Sequence, residues 1–476
     1  VVKRHLQYRK ARASRAFRLL LAGALLALAG CAAVPTVPLP PLQNAAVIQP
    51  IRIRGPHGRL SRRETERIVQ RLDAEAPEPD ALDRHLAVEQ YVAGTPLYTG
   101  NRVLILRDGT ESFNAMFRAI RGAQHFLYLE YYILQDVSDD RQTLADLLIQ
   151  RHRAGVHIDI IYDAIGSLST PAGFFQQLRD AGIDVIAYNP IARSLFSIND
   201  RDHRKILIAD GQTAIIGGVN LSTDYQSTPR KGSEHGPPAG ARPPGSDVPW
   251  HDTDLQIDGP AVDELKTLFE QHWRAQGGDA RQLAADPALP DAKGDQVVRI
   301  IGSEGGQTLP RYYATMLAAI RSASSRIWVE AAYFVPTNQE RQALDRAARR
   351  GVDVRLLLPS RSDSRAALAV QHSYYEGLLR AGVKIYERDD GILHSKTAVM
   401  DGVWSIVGSS NFDHRSVLFN DEVDAVVIGE RTGLQMEQYF QQDLQHARAI
   451  TLAQWRHRPF GEKLRGQFWR LWQQLL

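Results

Sequence analysis

The sequence predicts an α/β fold built twice, as two pseudo-twofold-related halves, each a mixed β-sheet flanked by helices. Three observations predict it. A motif recurs at a constant offset of 191 residues, relating His203 to His394, Lys205 to Lys396, Asp210 to Asp401, Gly217 to Gly408 and Asn220 to Asn411. Short apolar runs alternate with helical periods in both halves, the pattern of a mainly buried sheet covered by helices. And 476 residues, 43% of them hydrophobic and 23% charged, supply a large core and two or three domains.

In chain order, the first 30 residues carry seven Lys/Arg and no acid, ending in the apolar run Leu19–Ala29. Eleven apolar residues are about half a bilayer-spanning helix, so residues 1–31 read as a secretory signal. Leu28-Ala29-Gly30-Cys31 resembles the bacterial lipobox, which implies lipid attachment at Cys31 and a periplasmic, membrane-associated location in the cell envelope. Residues 32–100 read as a Pro-rich tether followed by a helical segment, opened by a capping box at Ser61-Arg62-Arg63-Glu64.

The first half, 101–290, runs strand Val103–Leu106, amphipathic helix Phe113–Ile120, strand Phe126–Ile133, a helix near Leu144–His152 and strand Ile158–Tyr162. The second, 291–447, repeats it, pairing Phe126–Ile133 with Ile327–Val335 and Ala181-Gly182-Ile183 with Ala381-Gly382-Val383. The stretch 226–249, with six Pro and four Gly, reads as a flexible insertion in the first half only. Residues 448–476 form a basic, aromatic tail. Phe460, Leu464, Phe468, Trp472 and Leu475 make one helical stripe, either docking on a membrane surface or packing as a core helix.

Seven of the 57 Lys/Arg lie before Cys31, so from there onward the 54 acids outnumber the bases by four. A mildly acidic body argues against a nucleic-acid partner. The single cysteine excludes a disulfide and a cysteine-built zinc site, and no His/Asp/Glu cluster shows ligand spacing, so neither metal nor cofactor is expected.

Within each motif His and Lys lie two apart in a strand-like run and are expected on one face of the sheet. The following Gly/Ser stretches, 217–220 and 408–411, are expected to let backbone approach a bound group closely. Two imidazoles, two ammonium groups and two carboxamides around one point suit a phosphodiester: cations and amides hold the non-bridging oxygens, one His attacks phosphorus and the other moves the proton.

His-x-Lys-x-x-x-x-Asp, twice, each followed by a Gly/Ser-rich stretch and Asn, resembles the phospholipase D superfamily over about residues 100–447. The segments Tyr162–Ser167, Gly217–Ser222, His251-Asp252-Thr253 and Asn411–Ser416 resemble the bacterial cardiolipin synthases within it. That resemblance implies a metal-free phosphohistidine mechanism. It implies His203 and His394 as nucleophile and acid/base, Lys205, Lys396, Asn220 and Asn411 as phosphate ligands, and mainly structural roles for Asp210 and Asp401. Asp252 and Glu422 are implied to orient the histidines. The implied substrates are phosphatidylglycerol and a second lipid alcohol, with glycerol released. Hydrolysis by the same site, as a phospholipase D or phosphodiesterase, and a catalytically silent lipid-binding lipoprotein remain the alternatives.

Overall fold

The computed structural model describes residues 34–39, 51–78, 80–92, 94–190, 199–227, 248–279 and 290–475. Cys31 and most of the 226–249 insertion lie outside them. Among the described residues no helix is long and apolar enough to cross a membrane.

A hairpin, β1 (Ile53–Gly55) and β2 (Gly58–Arg59), precedes α1 (Arg62–Glu75) and α2 (Ala81–Val92). The capping box forms: Glu64 N–H donates to the Ser61 hydroxyl and the Ser61 N–H donates to Glu64 Oε2 at 2.8 Å. The first half then runs β3 (Leu97–Arg107), α3 (Asp108–Gly122), β4 (Phe126–Tyr131), α4 (Leu144–Arg153), β5 (His157–Asp163), α5 (Ala172–Asp180), β6 (Asp184–Tyr188), β7 (Arg201–Asp202), β8 (Lys205–Ala209), β9 (Thr213–Gly217), β10 (Trp250–His251), β11 (Thr253–Asp258) and α6 (Val262–Ala275). The second runs β12 (Gln296–Ser303), α7 (Arg311–Ser322), β13 (Arg326–Ala331), α8 (Asn338–Arg349), β14 (Asp353–Pro359), α9 (Arg365–Ala381), β15 (Lys384–Arg388), β16 (Ile392–Leu393), β17 (Lys396–Met400), β18 (Trp404–Gly408), α10 (His414–Leu418), β19 (Asn420–Ile428) and α11 (Glu430–Leu444). Strand β20 (Ala447–Ile450) and helices α12 (Leu452–Arg456) and α13 (Phe460–Arg470) follow.

The two sheets have the same order and the same strand senses. In the first, β3-β11-β9-β8-β4 are antiparallel neighbours and β4-β5-β6 are parallel. In the second, β12-β19-β18-β17-β13 and β13-β14-β15 repeat this, with β20 added antiparallel at the edge. Strands β4 and β8 are buried along their whole length, which explains why they read as continuous apolar runs rather than alternating ones. Each sheet carries one core under its own helices. A third core lies between the sheets, where Ile206, Ile208 and Ile216 meet Val399, Val407 and Val423. The halves therefore pack face to face, and β3 pairs with β12 to join them.

Two parallel bridges, each two residues long, cross between the halves: β7 pairs with the start of β19, and β10 pairs with β16. They place the site. Helix α2 packs on the second half, where His85 Nε2 lies 3.3 Å from Asp401 Oδ2.

Candidate active site

Each motif histidine sits where a bridge ends and a central strand begins. His203 follows β7 and donates its N–H to Asp421 O at 2.9 Å; His394 follows β16 and donates to His251 O at 2.7 Å. The expectation that each histidine lies within the same strand as its lysine needs correction. Only Lys205 and Lys396 lie in strands, as first residues of β8 and β17, each histidine falling in the two-residue link between bridge and strand. Each lysine folds back: Lys205 Nζ donates to His203 O at 2.7 Å, and Lys396 Nζ donates to His394 O and lies 2.7 Å from His394 Nδ1.

Each histidine is held by a carboxylate from the opposite half. His203 Nδ1 lies 2.9 Å from Glu422 Oε2, and His394 Nδ1 lies 2.7 Å from Asp252 Oδ2. With Nδ1 bound to an acid, Nε2 of each ring is left for chemistry. Glu422 is itself fixed by Ser409 Oγ at 2.6 Å, Ser416 Oγ at 2.7 Å and Asn420 Nδ2 at 3.1 Å. Asp252 receives the Thr253 N–H at 2.8 Å, and the Tyr225 hydroxyl lies 3.3 Å from Asp252 and 2.9 Å from His394 Nδ1.

The Gly/Ser stretches do a different job from the one expected. A Cβ at Gly218 would fall 2.0 Å from Asp252 Oδ1, and one at Gly408 would fall 2.0 Å from Asp424 Oδ1. The missing side chains make room for buried carboxylates rather than for a bound group, and Ser409 and Ser410 bond to Glu422 and Asp424 at 2.6 Å.

Burial first, and then the neighbouring lysines, push His203 down to about 4 against the pull of Glu422. His394 is lowered by burial and by Lys396. Both rings are therefore neutral near pH 7, as a nitrogen nucleophile requires. Burial lowers Lys205 to about 7, and Lys396 also falls. Burial alone would raise Asp252 and Glu422, but their histidine and lysine neighbours outweigh it and keep both below the usual carboxylate range.

His203, His394, Asn220 and Asn411 line one cavity of about 310 Å³. Ile133 N–H donates to Asn220 Oδ1 at 3.1 Å, leaving the amide NH₂ end to donate elsewhere. Asp210 and Asp401 are not among the lining residues. Both sit at positive φ in the turns after β8 and β17, a conformation Asp tolerates. Asp210 receives the N–H groups of Gln124, His125 and Phe126 at 2.7 to 2.9 Å, and Asp401 receives those of Ser324, Ser325 and Arg326. Glu130 and Glu330 are buried and do not line the cavity.

Sequence reasoning missed Tyr132, Tyr333, Arg201 and Asp363 in the cavity wall, and the role of Tyr225. A signal for Tyr225 existed: the 191-residue offset maps it onto Ser416, and each touches the acid that holds a histidine. The structure also gathers Glu130, Asp202 and His272, with one potential ligand atom of each within 4.8 Å of the others. Arg204 Nη1 lies 3.3 Å from Glu130, however, and a buried guanidinium there opposes a cation.

The family model described as "Cardiolipin synthase, PLD-like domain" matches residues 116–230 and 316–444. A cardiolipin synthase of Geobacillus kaustophilus is 33% identical over 419 residues, covering 85% of this chain and 80% of its own. Cardiolipin synthase A of Pseudomonas aeruginosa is 34% identical over 361 residues, covering 75% of this chain and 70% of its own. The phosphatidylserine synthase structure from Haemophilus influenzae superposes with a TM-score of 0.61 at 11% identity, over 83% of this chain and all of that one, which shows a shared fold.

Proposed function

The chain belongs to the phospholipase D-like family of the cardiolipin synthases, and from that premise we propose that it transfers a phosphatidyl group from phosphatidylglycerol to the headgroup hydroxyl of a second phospholipid. The observation that carries the reading is the crossed pairing: two neutral histidines on one cavity, each backed by the other half's carboxylate.

In this reading His203 Nε2 attacks phosphorus. The P–O bond to glycerol breaks as His394, in the minority of molecules that carry it as imidazolium at neutral pH, gives its Nε2 proton to the leaving oxygen. Glycerol departs and a phosphatidyl–His203 bond remains. Neutral His394 then takes the proton of the incoming lipid hydroxyl, whose oxygen attacks phosphorus and breaks the P–N bond. Cardiolipin leaves and both histidines return to their starting state. Lys205, Lys396, Asn220 and Asn411 hold the non-bridging oxygens, while Glu422 and Asp252 fix the tautomers and steady the charged rings. Asp210 and Asp401 tie turns to neighbouring backbone.

Residues 101–290 and 291–447 are the two phospholipase D-like halves in this scheme. Lipid attachment at Cys31 would tether them to the envelope membrane that holds the substrate. The test is to supply the purified protein with bilayers of phosphatidylglycerol and identify the products. Cardiolipin and glycerol in equal amounts are expected; phosphatidic acid as sole lipid product, or no product, would overturn transfer.

A further inference from the structure

The stripe on the C-terminal helix has two readings in sequence, core or membrane surface, and the structure separates the two faces. Gly466 is the buried residue of α13, and a Cβ there would lie 2.9 Å from Ala369 O and 3.2 Å from the Ser373 side chain, so this face sits tightly on α9. Trp469 joins the core under that helix, Arg470 lies 4.6 Å over the Tyr374 ring, and the Tyr374 hydroxyl donates to Gln473 at 2.5 Å. Successive helical residues turn by about 100°, which puts Phe460, Leu464, Phe468 and Leu471 on the opposite side. They are 78%, 60%, 55% and 77% exposed. The other large exposed hydrophobics among the described residues are Leu104, Leu168, Leu309 and Leu434, each from a different part of the chain.

We infer that this stripe is a docking foot for an anionic phospholipid bilayer. Charge selects the occupant. From Arg448 onward there are six Lys/Arg and one acid, in a chain whose body is otherwise acidic. Lys463 and Arg465 flank the stripe at the angle where headgroup phosphates would lie beside an inserted apolar face. The foot is also mechanically tied to the cavity. Ser364 and Ala367, at the start of α9, line the cavity wall, while Ala369 to Tyr374 of the same helix carry α13. The six helical steps from Ala367 to Ser373 span about 9 Å. Docking through α13 sets the cavity beside the membrane surface from which a lipid headgroup must enter.

This inference goes beyond the proposed chemistry, and its first readout does not depend on turnover. In a full-length Cys31→Ser background, Leu464→Cys, Phe468→Cys and, as control, Gln441→Cys are labelled with nitrobenzoxadiazole. The proteins are mixed with vesicles of phosphatidylglycerol and phosphatidylcholine carrying doxyl groups on their acyl chains. Blue-shifted, doxyl-quenched emission is expected at 464 and 468 and not at 441. Emission that stays aqueous at 464 and 468 overturns the inference, and so does a shift that appears without vesicles as protein concentration rises, which marks self-association. As a second arm, Leu464→Asp/Phe468→Asp should lower turnover of bilayer phosphatidylglycerol at least tenfold and leave turnover of monomeric dihexanoyl phosphatidylglycerol unchanged. Equal loss on both lipids counts against docking. Should the unaltered protein turn over neither lipid, the proposed chemistry fails while the labels still decide the docking.

Discussion

Replacing Asp252 by Asn tests the crossed pairing at its sharpest point. The side chain keeps its shape, but a carboxylate 2.7 Å from His394 Nδ1 and 3.7 Å from Lys396 Nζ becomes neutral. A unit charge about 4 Å from the imidazolium is worth about 4 kcal/mol at an effective dielectric near 20, about 10³-fold in rate. An amide that donates to Nδ1 also forces the wrong tautomer, which brings the expected loss in kcat to about 10⁴-fold, as for carboxylate-to-amide changes in hydrolase triads. The loss should depend on the leaving group. In the proposed scheme glycerol takes a proton from His394; p-nitrophenolate needs none. Rapid-quench trapping of the phosphohistidine should therefore show Asp252→Asn severely slowed with phosphatidylglycerol and within tenfold of normal with a p-nitrophenyl phosphodiester. Glu422→Gln should be slow with both, since it disarms the attacking ring. The opposite pattern would exchange the roles of the histidines. If each substitution left phosphohistidine formation within tenfold of normal on both substrates, the crossed pairing would have no catalytic meaning.

Protonation should act on both rate and stability. The kcat/KM profile reports the free enzyme, so its acid limb is expected near 4 from His203 and its alkaline limb below 7, as His394 and then Lys205 lose their protons. Unfolded His203 titrates near 6.5 and the folded residue near 4, so the unfolded chain takes up the proton first. This site's stability is complete above 6.5 and declines by about 3 kcal/mol as the pH falls to 4; denaturant midpoints of the parent and His203→Gln across that range should show the difference. Asp401→Ala strands three backbone N–H groups and His85, and should lower unfolding free energy by about 3–5 kcal/mol while kcat of the folded fraction changes only a few-fold. In the proposed scheme Lys205 and Lys396 supply the positive charge, so turnover should survive EDTA; loss reversed by Mg²⁺ would refute that assignment.

Much of this molecule was legible because it is written twice. The constant offset marked the same positions in both halves, and the two sheets share one strand order. A local hydrogen-bond pattern such as the Ser61–Glu64 capping box spans four residues and needs no tertiary information. Helices α3 and α4 and strands β4 and β5 lie where periodicity places them, because patterns of 3.6 and of continuous burial are local consequences of which side faces a core. The glycines were legible as positions, but not for their purpose. A missing Cβ says that something comes close without saying what; at Gly218 it is the carboxylate of Asp252, between β10 and β11, and at Gly408 that of Asp424 in β19.

The sequence by itself determined the doubled α/β architecture and the set of repeated polar residues that face one chemistry. Which acid serves which histidine was decided only in three dimensions. Glu422 and His203 are 219 residues apart, and Asp252 and His394 are 142 apart. No spacing rule reaches that far; the pairs exist because two short parallel bridges stitch each half to the other. The fate of the C-terminal stripe was decided the same way. One amphipathic pattern serves a core or a membrane equally, and Gly466, by letting α13 lie close on α9 through its opposite side, left the apolar face outward.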